Sequence, residues 1–326
     1  MPTSPGYRRL ALSTVAATFL LVIVGGIVRV SDSGLGCGPA GSGLNGWPFC
    51  NGDVVPGVDL NSIIEYTHRA LAGIVGLMMI ALAALAWRRY RSNRVLVRAT
   101  IASAVLVLAQ GFLGAATVEQ DLDEGLVAAH LGLAMLLLAL LLLVVRSTRP
   151  QTSDIRHQGL RPLALVCSGF VLCTIVAGGY MAGTQNYGRA GYQAGDGAHH
   201  ACGKEFPTCN GEFMPFGEAR LVDIHLTHRA LMYIATLLVI ALVLLTLRRR
   251  PSPGAVRYAW LALAVLGAQV LVGALNVWLD EYEALIVLHL GLGTILWMGV
   301  VGLTLQLYPV RERALERAAP PEAVPA

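Results

Sequence analysis

Charge is what this 326-residue chain has least of: Asp, Glu, Lys and Arg make up 13% of it and aromatic residues 7%, against 55% apolar residues. With a mean hydropathy of +0.62, so little charge cannot clothe the two soluble domains that length alone would suggest. A small-residue cleavage site is also missing. The first apolar run ends in "VRVSDSG" and is longer than a signal-peptide core, so it reads as a retained span. No Cys-x-x-Cys pair occurs among the six cysteines, which removes the usual signature of a thiol oxidoreductase. The net charge of +4 is too small to argue for a nucleic-acid partner, and none is expected.

What the chain does have is long apolar runs. Eight stand out, at 10–30, 63–87, 99–118, 125–145, 162–183, 222–247, 258–279 and 284–308. Each is long enough to cross a bilayer as a helix, so the expected fold is an all-α polytopic membrane protein whose surroundings are lipid. Arginines set its orientation. Arg8, Arg9, Arg88, Arg89, Arg91, Arg94, Arg98, Arg146, Arg149, Arg156, Arg161, Arg248, Arg249, Arg250, Arg257, Arg311, Arg313 and Arg317 fall on one side of that topology, 18 of 24 basic residues. The positive-inside rule then puts both termini in the cytoplasm of a multi-pass cell-membrane protein. Cys37, Cys50, Cys202 and Cys209 lie in two long outside loops. Since each loop holds one pair, Cys37–Cys50 and Cys202–Cys209 are the expected disulfides, either as staples or as redox-active bonds. Cys167 and Cys173 lie in the fifth span as small apolar residues.

The chain repeats itself. "EYTHRALAG" from Glu65 returns as "HLTHRALMY" from His225, 160 positions on. "CNG" at Cys50 returns at Cys209, "QGFLGAATV" from Gln110 as "QVLVGALNV" from Gln269, and "EGLVAAHLGL" from Glu124 as "EALIVLHLGL" from Glu283, all 159 positions on. Such self-similarity divides the chain into halves, 1–150 and 151–326, expected to be two pseudo-symmetric four-helix bundles.

His68, His130, His228 and His289 each sit about five residues, or about 8 Å, inside the outer end of alternate spans. Two histidines at one level in one bundle suit an iron held between imidazoles, as in a bis-histidine haem. Hydrogen bonding to a neighbouring helix and zinc binding are the other readings. Gly111, Gly114, Gly132, Gly273, Gly291 and Gly293 make room either for a flat group or for close helix packing. Arg69 and Arg229, next in sequence to two of the histidines, are expected to meet anions such as haem propionates, and Arg29 to do so for the first half or else to reach the interface. Gln110 and Gln269 are expected to tie helices together.

Between the copies, Glu65 is exchanged for His225. The acid lies three residues before His68 and so on a neighbouring part of the same helix face. It can move protons or stabilise a cation there, or it can simply pair with Arg69. His225 competes with His228 as the ligand of the sixth span. His199 and His200 read as solvated loop side chains or as metal handlers, and "AAPPEAVPA" as a disordered tail.

Taken together, the eight spans, the "EYTHR" segment, the four histidines at one level and the loop cysteines resemble the haem A synthase family over roughly residues 10–308. The resemblance implies oxidation of the C8 methyl of haem O to a formyl group by successive hydroxylations. It implies that His68 and His130 ligate substrate haem O in a catalytic first half, that His228 and His289 ligate haem b in the second, and that Glu65 is the essential acid. It implies that Cys37 and Cys50 are the family's loop cysteines. Haem O synthase upstream and an unidentified electron acceptor are the implied partners. Two rivals stay open on the residues alone: a di-haem bis-histidine cytochrome exchanging electrons with quinone, and a haem carrier without chemistry.

Overall fold

The computed structural model describes residues 3–148, 159–184, 197–280 and 282–308. The arginine-rich segment with Arg149, Arg156 and His157 and the tail with Arg311, Arg313, Arg317 and "AAPPEAVPA" lie outside the described residues.

Eight long helices carry the described chain: α1 (Pro5–Val30), α2 (Leu60–Arg89), α3 (Arg94–Glu119), α4 (Glu124–Ser147), α5 (Arg161–Gly183), α6 (Arg220–Arg249), α7 (Pro253–Trp278) and α8 (Glu283–Leu307). All eight are long and apolar enough to cross a membrane, and the protein is a multi-pass membrane protein. Several run further than the apolar stretches because polar caps start them outside the apolar core. Ser4, Asp59, Asn93, Asp123 and Ser252 each accept a first-turn N–H, and Pro5 and Pro253 stand at helix starts where no amide hydrogen is needed.

In the first half α1 packs on α2, α2 on α3, α3 on α4 and α4 back on α1; in the second the same order joins α5, α6, α7 and α8. The halves meet through α4 with α5, α1 with α8 and α4 with α8. Lipid tails are as apolar as leucine, so these contacts depend on close fit and on hydrogen bonds rather than on hiding area from water. The indole N–H of Trp297 on α8 donates to the Met135 carbonyl on α4 at 2.8 Å in the buried seam. Arg161 donates to the Leu307 carbonyl at 2.8 Å and Arg146 to that of Tyr308 at 3.1 Å, closing the arginine-rich end.

Gly183 brings α5 against the start of α4: a Cβ there would come 2.5 Å from the Glu124 Cα. That neighbour is backbone and cannot swing aside. Gly183→Ala is therefore expected to destabilise the protein by about 1–3 kcal/mol, read as a lower melting temperature in detergent. Gly73→Ala, where the new methyl meets nothing within 4 Å, is expected to leave melting unchanged or raise it.

Candidate functional site

Each of the four span histidines is met by a glycine from the preceding helix. A Cβ on Gly25 of α1 would come 3.1 Å from the Cε1 of His68, and one on Gly114 of α3 would come 3.5 Å from that of His130. The distances are 3.0 Å from Gly178 of α5 to His228 and 2.9 Å from Gly273 of α7 to His289. Thus the helix beside each ring has no side chain where the ring lies. All four histidines are half-buried. His68 and His130 lie near enough to interact electrostatically, as do His228 and His289. The Nδ1 atoms of His68, His130 and His289 are buried with no hydrogen-bond partner among the described residues, while that of His228 lies 3.0 Å from the Thr174 carbonyl.

Among the described residues no three His, Cys, Asp or Glu side chains gather to hold a metal ion. Zinc takes three or four protein ligands, whereas a haem iron brings ring nitrogens of its own and needs only two. Two half-buried imidazoles per half, each backed by a glycine, fit a haem and do not fit zinc.

Glu65 is 3% exposed. One carboxylate oxygen accepts the Cys37 N–H at 2.7 Å, and the other pairs with the Arg69 guanidinium. Arg69 continues outward to the carbonyls of Gly46 (2.5 Å) and Phe49 (3.0 Å). Arg229 repeats this at the equivalent carbonyls, Glu205 (2.7 Å) and Thr208 (2.8 Å). From the sequence both arginines are expected to meet anions such as propionates; in the structure the anion beside Arg69 is Glu65, both arginines donate to loop carbonyls, and Arg229 also lies over the Phe206 ring, 5.4 Å from its centroid. Each arginine thereby holds the "CNG" loop over its histidines. The loops carry the disulfides Cys37–Cys50 and Cys202–Cys209, closing 13 and 7 positions, and an isolated β-bridge at each copy, Cys50 with Asp53 and Cys209 with Glu212.

The exchange of Glu65 for His225 has a local cause. The first loop turns an N–H, that of Cys37, toward the helix, and a carboxylate receives it. The second turns the Ala198 carbonyl, and the His225 Nδ1–H donates to it at 2.8 Å. His225 is 3% exposed, which sets it apart from the four half-buried rings.

His199 is not the freely solvated side chain that its loop suggests. Burial holds its pKa well below the ordinary histidine value, and the nearby His225, His228, His200 and Arg29 push the same way. His200 lies 3.8 Å from Asp280. Arg29 reaches the second half, donating to the Ala182 carbonyl at 2.7 and 3.1 Å. Of the glycines read from the sequence, Gly114 and Gly273 face histidines. Gly132 fits against Val176, Gly291 against Ile23 and Gly293 against Gln269, while Gly111 has open space. The sequence reading passed over Gly25 and Gly178; the shared "GG" at 25–26 and 178–179, displaced by 153 positions, was the available signal.

The family model for the cytochrome oxidase assembly protein (COX15-CtaA) matches residues 58–301 of this chain. That stretch holds Glu65 and all four histidines. The protein named heme A synthase in Symbiobacterium thermophilum is 30% identical over 280 residues, 82% of this chain and 84% of that protein. Those so named in Alkalihalophilus pseudofirmus and Shouchella clausii are 30% identical over 256 residues and 28% over 250, each covering 74% of this chain and 78% and 77% of the respective relative.

Proposed function

Since the chain belongs to the cytochrome oxidase assembly protein family, we propose that it is a two-site haem enzyme, with haem O held between His68 and His130 and haem b between His228 and His289. It is an oxidoreductase of haem A synthesis, acting on haem O. The observation that carries the site assignment is the fourfold repetition of a half-buried histidine backed by a glycine.

On this reading the two halves, 1–150 and 151–326, are pseudo-symmetric in build and unequal in chemistry. The C8 methyl of haem O passes through an alcohol and a gem-diol, which loses water to leave the formyl group. Haem b, when bound, supplies one-electron redox capacity. The rest falls to side chains. His68 and His130 fix the substrate plane. Glu65, on the helix face beside His68, takes protons from the reacting methyl or stabilises positive charge there, and only the first half has this acid. Arg69 keeps the carboxylate in place and ties it to the covering loop. Haem propionates, being charged, face the same loop-covered end. Cytoplasmic termini, cysteine loops on the outer face of the cell membrane, delivery from haem O synthase and an external electron acceptor complete the proposal.

Haem extraction with chromatography and mass detection, on protein expressed with and without a haem O source, tests it. Haem A or the hydroxylated intermediate is expected only when haem O is supplied. Protein that yields haem b alone under both conditions is the di-haem cytochrome instead.

A further inference from the structure

Gln110 and Gln269 lie one turn from Gly114 and Gly273, about 6 Å further toward the arginine-rich end. Gln110 is 8% exposed, and its Nε2 donates to the His130 carbonyl at 2.8 Å. A carbonyl only accepts, so this contact fixes which end of the amide is NH2. The other end, Oε1, is a buried acceptor with no partner among the described residues. Buried acceptors are expensive to leave unmet. In the second half the Gln269 Oε1 is likewise buried with no partner among the described residues. Its amide is not fixed in the same way, however: the Nε2 lies 3.2 Å from the Nε2 of His289, a ring nitrogen that can donate or accept, so an amide turned about would satisfy its oxygen there.

We infer that the Gln110 Oε1 accepts a hydrogen bond from the hydroxyl of the hydroxyethylfarnesyl substituent of haem O, and that Gln110 is thereby the residue that tells haem O from protohaem. The inference rests on the first-half haem site proposed above. A metallated porphyrin has no N–H to give, and this substituent carries the one hydroxyl of haem O. Propionates seek the loop-covered end, so the edge bearing the long chain lies deeper in the span, on the level of Gln110. Protohaem has a vinyl group there and leaves Oε1 unmet. Rejection of an analogue that lacks a hydroxyl is what a site built around a buried acceptor achieves.

The test is competition. Purified full-length wild type, Gln110→Met and Gln269→Met are each incubated with equal haem O and protohaem, and the bound haems are separated and quantified. Gln110→Met is expected to lower the ratio of haem O to protohaem retained beyond the second-half haem b by about five- to tenfold, with the low-spin bis-imidazole spectrum kept, while Gln269→Met, which removes a contact to the ring of His289, leaves haem O retention alone. An unchanged ratio in Gln110→Met overturns the inference, as does equal loss of both haems, which would make the amide purely structural. Normal retention of haem O with escape of the hydroxylated intermediate also overturns it, by moving the contact to the new alcohol. Wild type that retains no haem O sinks the first-half site itself, and is told apart from failure of the inference alone because no variant is needed to see it.

Discussion

Glu65→Gln is expected to cut haem A formation by about two to four orders of magnitude, the usual worth of a positioned acid or base, with both haems still bound. The variant keeps the shape of the side chain and removes its charge and its ability to carry a proton. The loop should survive, because Arg69 also holds the Gly46 and Phe49 carbonyls and the Cys37–Cys50 bond closes the segment. Some structural cost is unavoidable. Either the Cys37 N–H or the Arg69 guanidinium now faces an amide NH2, a mismatch worth about 1–3 kcal/mol. Two readouts on one preparation separate the causes: product haems by chromatography, and access of an alkylating reagent to Cys37 and Cys50 after mild reduction. Lost product with an unaltered loop assigns the acid to chemistry. Undiminished haem A formation in Glu65→Gln would remove Glu65 from the mechanism and leave it as a fastener for the loop.

The duplication is legible in the sequence wherever an offset of 159 or 160 persists, because helices α2 to α4 and α6 to α8 and their short corners have nearly equal lengths. It fades across the cysteine loops. There 29 residues separate α1 from α2 and 36 separate α5 from α6, so Gly25 and Gly178 stand only 153 apart and escape a search at a single register. Histidine depth is equally legible, since 1.5 Å per residue turns a count into a level. What a side chain meets across the bundle is not. A basic residue next to a histidine says that an acceptor is wanted, and an anionic group and a backbone carbonyl satisfy that want alike. Arg69 and Arg229 found mostly carbonyls because tight loops fold back over them. Nor does sequence tell whether a loop offers an N–H or a C=O, which is what pairs Glu65 with Cys37 and His225 with Ala198. His199 is pulled down the same way, by the short 3-10 turn Ala198–Cys202 that packs on α5 and α6.

His228→Ala is expected to abolish the low-spin haem signal of the second half completely, and His225→Ala to keep it. Both rings are on α6 and both have Nδ1 at a carbonyl, so each carries its proton there and has its lone pair on Nε2. The difference lies in what surrounds them. The carbonyl partner of His228 is Thr174, four residues before Gly178 on α5, and the same missing side chain that admits the ring leaves it half-buried. That is the usual posture of a metal-binding histidine, oriented through one nitrogen so that the other is free for iron. His225 is enclosed at 3% exposure against the loop and holds the Ala198 turn. Its removal should therefore cost about 1–3 kcal/mol of stability and little haem. His289→Ala, which removes the opposite ligand, is expected to match His228→Ala. The measurement is the reduced-minus-oxidised spectrum of each purified variant, with haem b content by extraction. Loss of haem b in His225→Ala together with its retention in His228→Ala would move the ligand by three residues. The histidine that replaces Glu65 would then be the second half's own metal ligand, and its bond to Ala198 would be the contact that orients it for iron.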